Sequence, residues 1–189
     1  MATPPTANPI TAATPNRLVF DAGAVYKSWD SSPVLLGTTR GGAVFEIARE
    51  TREVEMDGKR GLVKGLKRTL SMGAKLTVSF VELSDALFKE LLYQVSKTAP
   101  NANLHTWRPD LLIDAADYAA NIALVANVSG SVATPCVLEL DNALATGGWS
   151  ITTKDKDEGV LGPVAFEAHY DPAAATTVPF KIHWPTGAS

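Results

Sequence analysis

Residues 34–65 read VLLGTTRGGAVFEIARETREVEMDGKRGLVKG, and the changes of character within this stretch decide the fold class. An apolar run, Val34-Leu35-Leu36, reaches Gly37, and Thr38-Thr39-Arg40-Gly41-Gly42 reads as a turn, because paired glycines supply backbone conformations that other residues avoid. Phe45 and Ile47 then alternate with Glu46 and Ala48, the period of a strand with one face toward a core. Beyond Ala48 the apolar face stops. Arg49, Glu50, Arg52, Glu53, Glu55 and Asp57 are followed by Lys59, Arg60 and Lys64, with Asp57-Gly58 as a tight-turn dipeptide between them. A strand that loses its apolar face and returns through a charged turn predicts a long β-hairpin arm, Arg49 to Gly65, projecting from a β domain.

The flanking sequence supplies that domain. Leu76, Val78 and Phe80 alternate with Lys75, Thr77 and Ser79, which predicts a half-buried strand. Ser84 can cap free backbone N–H groups, and Asp85 suits the positive end of a helix dipole. Phe88, Leu91, Leu92 and Val95 follow at helical spacing before Pro100, so one helix is predicted over about Ser84–Ser96, lying across a sheet opening or edge. Residues 101–118 keep neither period and read as loop or a second short helix. From Ile122 onward, short alternating segments follow one another: Ile122 to Val128, Cys136 to Leu140, Trp149 to Ile151, Val164 to Tyr170, and Val178 to Trp184. Pro179 places the last of them at an edge. The expected fold is mainly β: a β-sandwich or partly closed barrel of antiparallel strands, with one flanking helix and the charged hairpin arm. The length, 189 residues, suits a single domain over residues 17–189. Met1 to Asn16, rich in Pro, Thr and Ala, reads as a flexible arm, either inert or ordering against a neighbour.

Catalytic chemistry is hard to place on these residues. His105, His169 and His183 share no ligand motif, and a lone Cys136 on an alternating strand reads as a buried structural thiol. Gly37 to Gly42 lacks the Lys-Ser/Thr ending of a phosphate loop. Asp155, Asp157 and Glu158 lack the remaining ligands of a calcium loop. The expectation is no enzyme, no cofactor and no metal. No apolar run approaches the ~18 residues of a membrane span, and the first residues lack the basic and apolar regions of a signal peptide, so a cytoplasmic origin is expected. With 17 Lys and Arg against 20 Asp and Glu, the chain as a whole is no polyanion binder. The local charge is more telling: Glu46 to Asp57 is mostly acidic, and Lys59, Arg60, Lys64, Lys67 and Arg68 form a basic block directly after. Three readings stand: two arms that neutralise each other, a surface where one subunit's acids meet the next subunit's bases, or a grip on DNA phosphates.

Phe20 to Gly23 with Val25 and Tyr26, Leu35 to Gly37 with Arg40 to Gly42, Glu50 to Gly58, Val63 to Gly65, and Glu82 to Ser84 occur in an order and spacing that resemble the major tail tube proteins of long-tailed bacteriophages. The resemblance covers Phe20 to about Ser96 and is looser beyond. It implies a structural virion protein whose copies form rings, normally hexamers, stacked into a hollow tube through which DNA passes without specific binding. Its implied partners are further copies of itself, a tape-measure protein and a tail terminator, with no membrane. Its location would be the phage tail, after assembly in the host cytoplasm. In that setting Arg40, Gly41, Gly42, Arg49, Glu50, Arg52, Glu53, Glu55, Asp57, Gly58, Lys59, Arg60 and Lys64 are the expected subunit contacts. A DNA duct needs a wall that repels phosphate, and the outward carboxylates Glu46, Glu139, Asp141 and Glu167 are the candidates for it. The alternatives are another tube-fold protein, such as a tail terminator or the inner tube of a contractile tail, and a monomeric β-sandwich binding module.

Overall fold

The computed structural model describes residues 10, 14–93, 96–101, 103–109, 111–129, 131–153 and 155–186. Most of the arm expected at residues 1–16 lies outside them. The strands are β1 (Val19–Lys27), β2 (Val34–Glu53), β3 (Lys67–Phe80), β4 (Ser96–Asn101), β5 (Leu104–Arg108), β6 (Ala119–Val128), β7 (Ser131–Thr146), β8 (Ile151–Thr152), β9 (Val160–Glu167) and β10 (Phe180–His183), with one helix, α1 (Asp85–Leu92). The fold is mainly β, and the expected barrel is closed: β7, β6, β1, β2, β3 and β9 form a ring of six antiparallel strands, sealed where β9 pairs with β7. β10 and β8 lie outside the ring, and β4 and β5 form a separate hairpin.

Register explains why the sequence alternates as it does. Phe45 lies opposite Leu76, Leu76 opposite Phe166, and Phe166 opposite Ala145, so one row across four strands points into the barrel. The next row, Glu46, Lys75 and Glu167, points outward. Leu76, Val78, Phe80, Val164 and Phe166 are buried, as the period-two pattern requires. Such rows fix the pairing, because a slip of one residue would turn the apolar set to water.

The glycines read as turns are bulges inside continuous strands. Thr39 faces Phe80 and Ala43 faces Val78, so the segment around Gly41-Gly42 carries two residues more than its partner. Both glycines take positive φ, 82° and 85°, which absorbs the surplus without breaking β2. Gly23 serves β1 in the same way: φ is 73°, and a Cβ there would stand 2.7 Å from Leu124 Cδ1.

α1 plugs one mouth of the barrel, with Leu87 and Leu91 in the core cluster beside Leu36 and Phe80. Ser84 is the N-cap: Leu87 N–H donates to its Oγ at 3.1 Å, and that hydroxyl donates to Leu36 O at 2.9 Å. Glu90, also buried, ion-pairs with Lys27 of β1. The helix is shorter than the spacing predicts. It ends at Leu92 because Tyr93 turns to φ 47°, and Ser96 begins β4 instead of closing the helix. Residues 101–118, undecided in sequence, hold the end of β4, all of β5 and a single 3-10 turn at Ala115–Asp117.

Candidate functional site

β2 and β3 outrun their neighbours. β1 pairs with β2 only over Val34–Thr38, and β9 pairs with β3 only over Lys75–Phe80. The remainder, from Arg49 opposite Met72 to Glu53 opposite Lys67, is a two-stranded ribbon joined through residues 54–66. The predicted arm is therefore present as a hairpin, with a broad loop at its tip. Almost every residue along it is exposed, including Val54, Met56, Leu62, Val63 and Leu70. Its root is pinned by Tyr170, whose hydroxyl donates to Met72 O at 2.7 Å and accepts from Met72 N–H at 3.0 Å. These two bonds satisfy backbone groups that β9 leaves behind as it departs. In sequence Tyr170 is merely the end of the alternating segment Val164 to Tyr170; nothing in its local pattern announces this role.

The charges of the ribbon are only partly internal. Lys67 lies opposite Glu53, Glu53 also ion-pairs with Lys59, and Ser71 Oγ donates to Glu50 Oε2 at 3.3 Å. The Lys59 ammonium holds the Glu53 carboxyl below its ordinary range. Arg49 faces Met72, however, and Arg52 faces Arg68, a like-charge pair that works against the hairpin in isolation. Glu55, Asp57, Gly58, Arg60 and Lys64 occupy the exposed tip loop. Arg40 stands apart, at the bulge with Gly41 and Gly42, and pairs with Glu158 at 2.9 Å. The expected contact residues thus fall into a ribbon group and a separate bulge group.

The four carboxylates do not converge. Glu46 and Glu167 share the outer face of β2, β3 and β9, where Glu167 pairs with Lys75 at 3.3 Å. Glu139 and Asp141 belong to the outer face of β6 and β7, a different wall. Glu139 points away from the barrel as expected, but it is only 2% exposed and offers no carboxylate to a surface. Its cover comes from the β1–β2 loop and from β10. Lys181 Nζ donates to Glu139 Oε1 at 3.2 Å and to Asp141 Oδ1 at 2.9 Å, and His183 Nε2 lies 2.8 Å from Glu139 Oε2. The Trp29 ring packs edge-on to His183 at 5.3 Å, and Trp29 N–H donates to Asn121 Oδ1 at 2.9 Å. Burial alone would raise the Glu139 pKa, but the contacts from His183 and Lys181 outweigh it and hold the carboxyl below its ordinary range. Asp141 in turn raises the Lys181 ammonium. This clasp ties β10 to β7 within the same chain, so the last strand is already docked at the edge that Pro179 predicts.

A second apolar surface escaped the sequence reading. Leu111, Leu112 and Ile113 are 99%, 72% and 51% exposed, a run of three ahead of the 3-10 turn that leads into β6. An unbroken triplet of large aliphatic residues between two aspartates was the available signal.

The histidines are scattered: His105 lies 3.0 Å from Asp85, His169 packs edge-on to Tyr118, and His183 belongs to the clasp. Cys136 is buried, which pushes its thiol pKa up. Among the described residues no group of three His, Cys, Asp or Glu side chains is placed to hold a metal ion, and no helix is long and apolar enough to cross a membrane. No family model matches the sequence, and no curated protein matches it.

Proposed function

We propose that this chain is a structural subunit that polymerises, and specifically a tail tube protein whose rings stack into the hollow tail of a long-tailed phage. One observation carries the reading: a charged ribbon that leaves the barrel with both edges unpaired by strands of its own chain among the described residues. An open two-stranded edge is a liability in a protein that stays alone, and a device in one that meets copies of itself. The facing arginines Arg52 and Arg68 support the same reading, since an acidic surface on a neighbour would relieve them. The order of motifs from Phe20 to Ser84 supplies the more specific identity, with a tape-measure protein inside the tube and a terminator at its end as partners.

In this reading the lumen wall is the outer face of β2, β3 and β9, because Glu139 on the other wall is covered, whereas Glu46 and Glu167 stand open to solvent on either side of Lys75, two carboxylates to one ammonium. Glu46 and Glu167 then present carboxylates to passing phosphates, and like charge keeps the duplex from sticking. The test is electron microscopy of the concentrated protein beside a sizing column on the dilute sample. Hollow tubes or stacked rings are expected. A chain that stays monomeric at high concentration, even when seeded with native tails, refutes the proposal.

A further inference from the structure

We propose that the hollow beside the ribbon root, lined by Tyr118, His169, Tyr170 and Pro172, seats the proline-rich residues 1–13 of a second copy of the chain. This inference rests on the polymerising reading above and adds which segment of one copy grips which surface of the next.

The hollow has a volume of about 560 Å³ and lies between the 3-10 turn ahead of β6 and the chain that follows β9. Its lining is mostly ring and aliphatic surface, with Ile113 joining the four residues above. The rings are held in place before any partner arrives. Tyr118 and His169 pack edge-on with centroids 5.1 Å apart. Asn142 Nδ2 donates to His169 O at 3.2 Å, and the Tyr170 hydroxyl is tied to both backbone groups of Met72. A surface fixed in this way binds without the cost of ordering its own side chains.

Chemistry selects the occupant. Aromatic-lined grooves take polyproline II segments, whose backbone makes no internal hydrogen bonds and whose shape proline sets in advance. Residues 1–13, MATPPTANPITAA, hold Pro4, Pro5 and Pro9 and no charged side chain. Packing of proline rings on aromatic rings is therefore a contact this segment can make, and side-chain ion pairing is not.

Reach decides which copy supplies it. Pro15 O accepts from Ser129 Oγ, so the segment leaves the barrel at the β6–β7 turn. Asn142, in the hollow, is eleven residues along β7 from Ser131, about 36 Å at ~3.3 Å per residue. Counting back from Thr14 at ~3.1 Å per residue, Pro9 reaches about 16 Å and Pro4 about 31 Å at most. Both fall short of the hollow of their own copy. The segment of an adjacent copy meets no such limit, and a segment that leaves one copy to seat in the next links copies in series.

In the test, full chains carrying Thr6→Cys are mixed with full chains carrying Ala115→Cys, assembled and mildly oxidised; Cys136 is buried and does not compete. On a non-reducing gel, disulfide-linked dimers are expected from the mixture and from neither variant alone. Ala115→Arg fills the hollow from a position that is already exposed, so this variant should fold. It should raise the concentration needed for assembly by about tenfold or more. If the unmodified chain never assembles, the polymerising reading falls and this inference with it. If tubes form while the mixture stays unlinked and Ala115→Arg assembles like the parent, the seat is overturned and the polymerising reading stands. A double variant, Thr6→Cys with Ala115→Cys, that links only within one chain overturns the second copy as the source.

Discussion

β2 and β3 build two unlike structures from one continuous ladder. Where Phe45 meets Leu76, β9 adds Phe166 on the far side and the row is sealed inside the barrel. A few residues further along the same ladder, Arg52 meets Arg68 with no third strand of the described residues beside them, and both are exposed. Backbone pairing is alike in both halves, so hydrogen bonding does not distinguish them. The difference is the neighbour. A third strand buries one face, and burial is what makes side-chain identity matter for stability. In the ribbon the same pairing leaves identity free to serve contacts with other molecules.

The sharpest test of that contrast is a pair of truncations. Phe166→Ala, at a fully buried position, is expected to cost roughly 3–5 kcal/mol in urea unfolding. Leu62→Ala at the tip should change stability by less than about 0.5 kcal/mol. A tip variant that destabilised like the core variant would mean the ribbon folds back onto the barrel.

Next in size is the clasp. Glu139→Ala removes the buried acceptor for Lys181 and His183 and should cost about 2 kcal/mol, with hydrogen exchange accelerating first in β10. Its pH dependence has a definite sign. Because the Glu139 pKa lies below its ordinary 4.5, its contribution is complete above that pH and is lost as pH falls through the depressed value. Because the Lys181 pKa lies above its ordinary 10.5, its share is complete below that pH and is lost as pH rises through the raised value. β10 protection should therefore be flat across the neutral range and fall at both extremes, with the acid limb missing in Glu139→Gln. Acid-insensitive β10 protection in the parent would show that backbone pairing alone holds the strand.

Tyr170→Phe sits at the boundary between the two regions. It leaves both backbone groups of Met72 without their hydroxyl partner, for a loss of about 1 kcal/mol. Exchange should quicken at Met72 and along the ribbon while the barrel amides keep their rates; uniform acceleration would mean that the ribbon and barrel open as one unit. A small, salt-dependent loss in urea unfolding is expected from Lys59→Ala. The Glu53–Lys59 pair sits on the ribbon in reach of solvent, where ion pairs contribute little and less as salt rises.

The sequence by itself determined the strands of the barrel, because apolar alternation is a local record of which face will be buried: Leu76, Val78 and Phe80 needed no neighbour to be read, whereas β4 and β5, without that alternation, were not legible. It also determined the helix start, since Ser84 caps with its own side chain, and the charged arm, since Arg49 to Lys64 offers no face to a core. Tertiary structure decided what local pattern cannot carry. Gly41-Gly42 and Gly23 have the chemistry of turns, and they became bulges because partners on the adjacent strands held the chain extended through them. Tyr93 ended the helix one turn early although Val95 keeps the helical spacing. Glu139 alternates outward like Glu46, yet it is buried because Trp29 and His183, more than forty residues away on either side, close over it. A side chain's facing is written in its nearest neighbours in sequence; its cover is written by whichever distant segment the fold brings there.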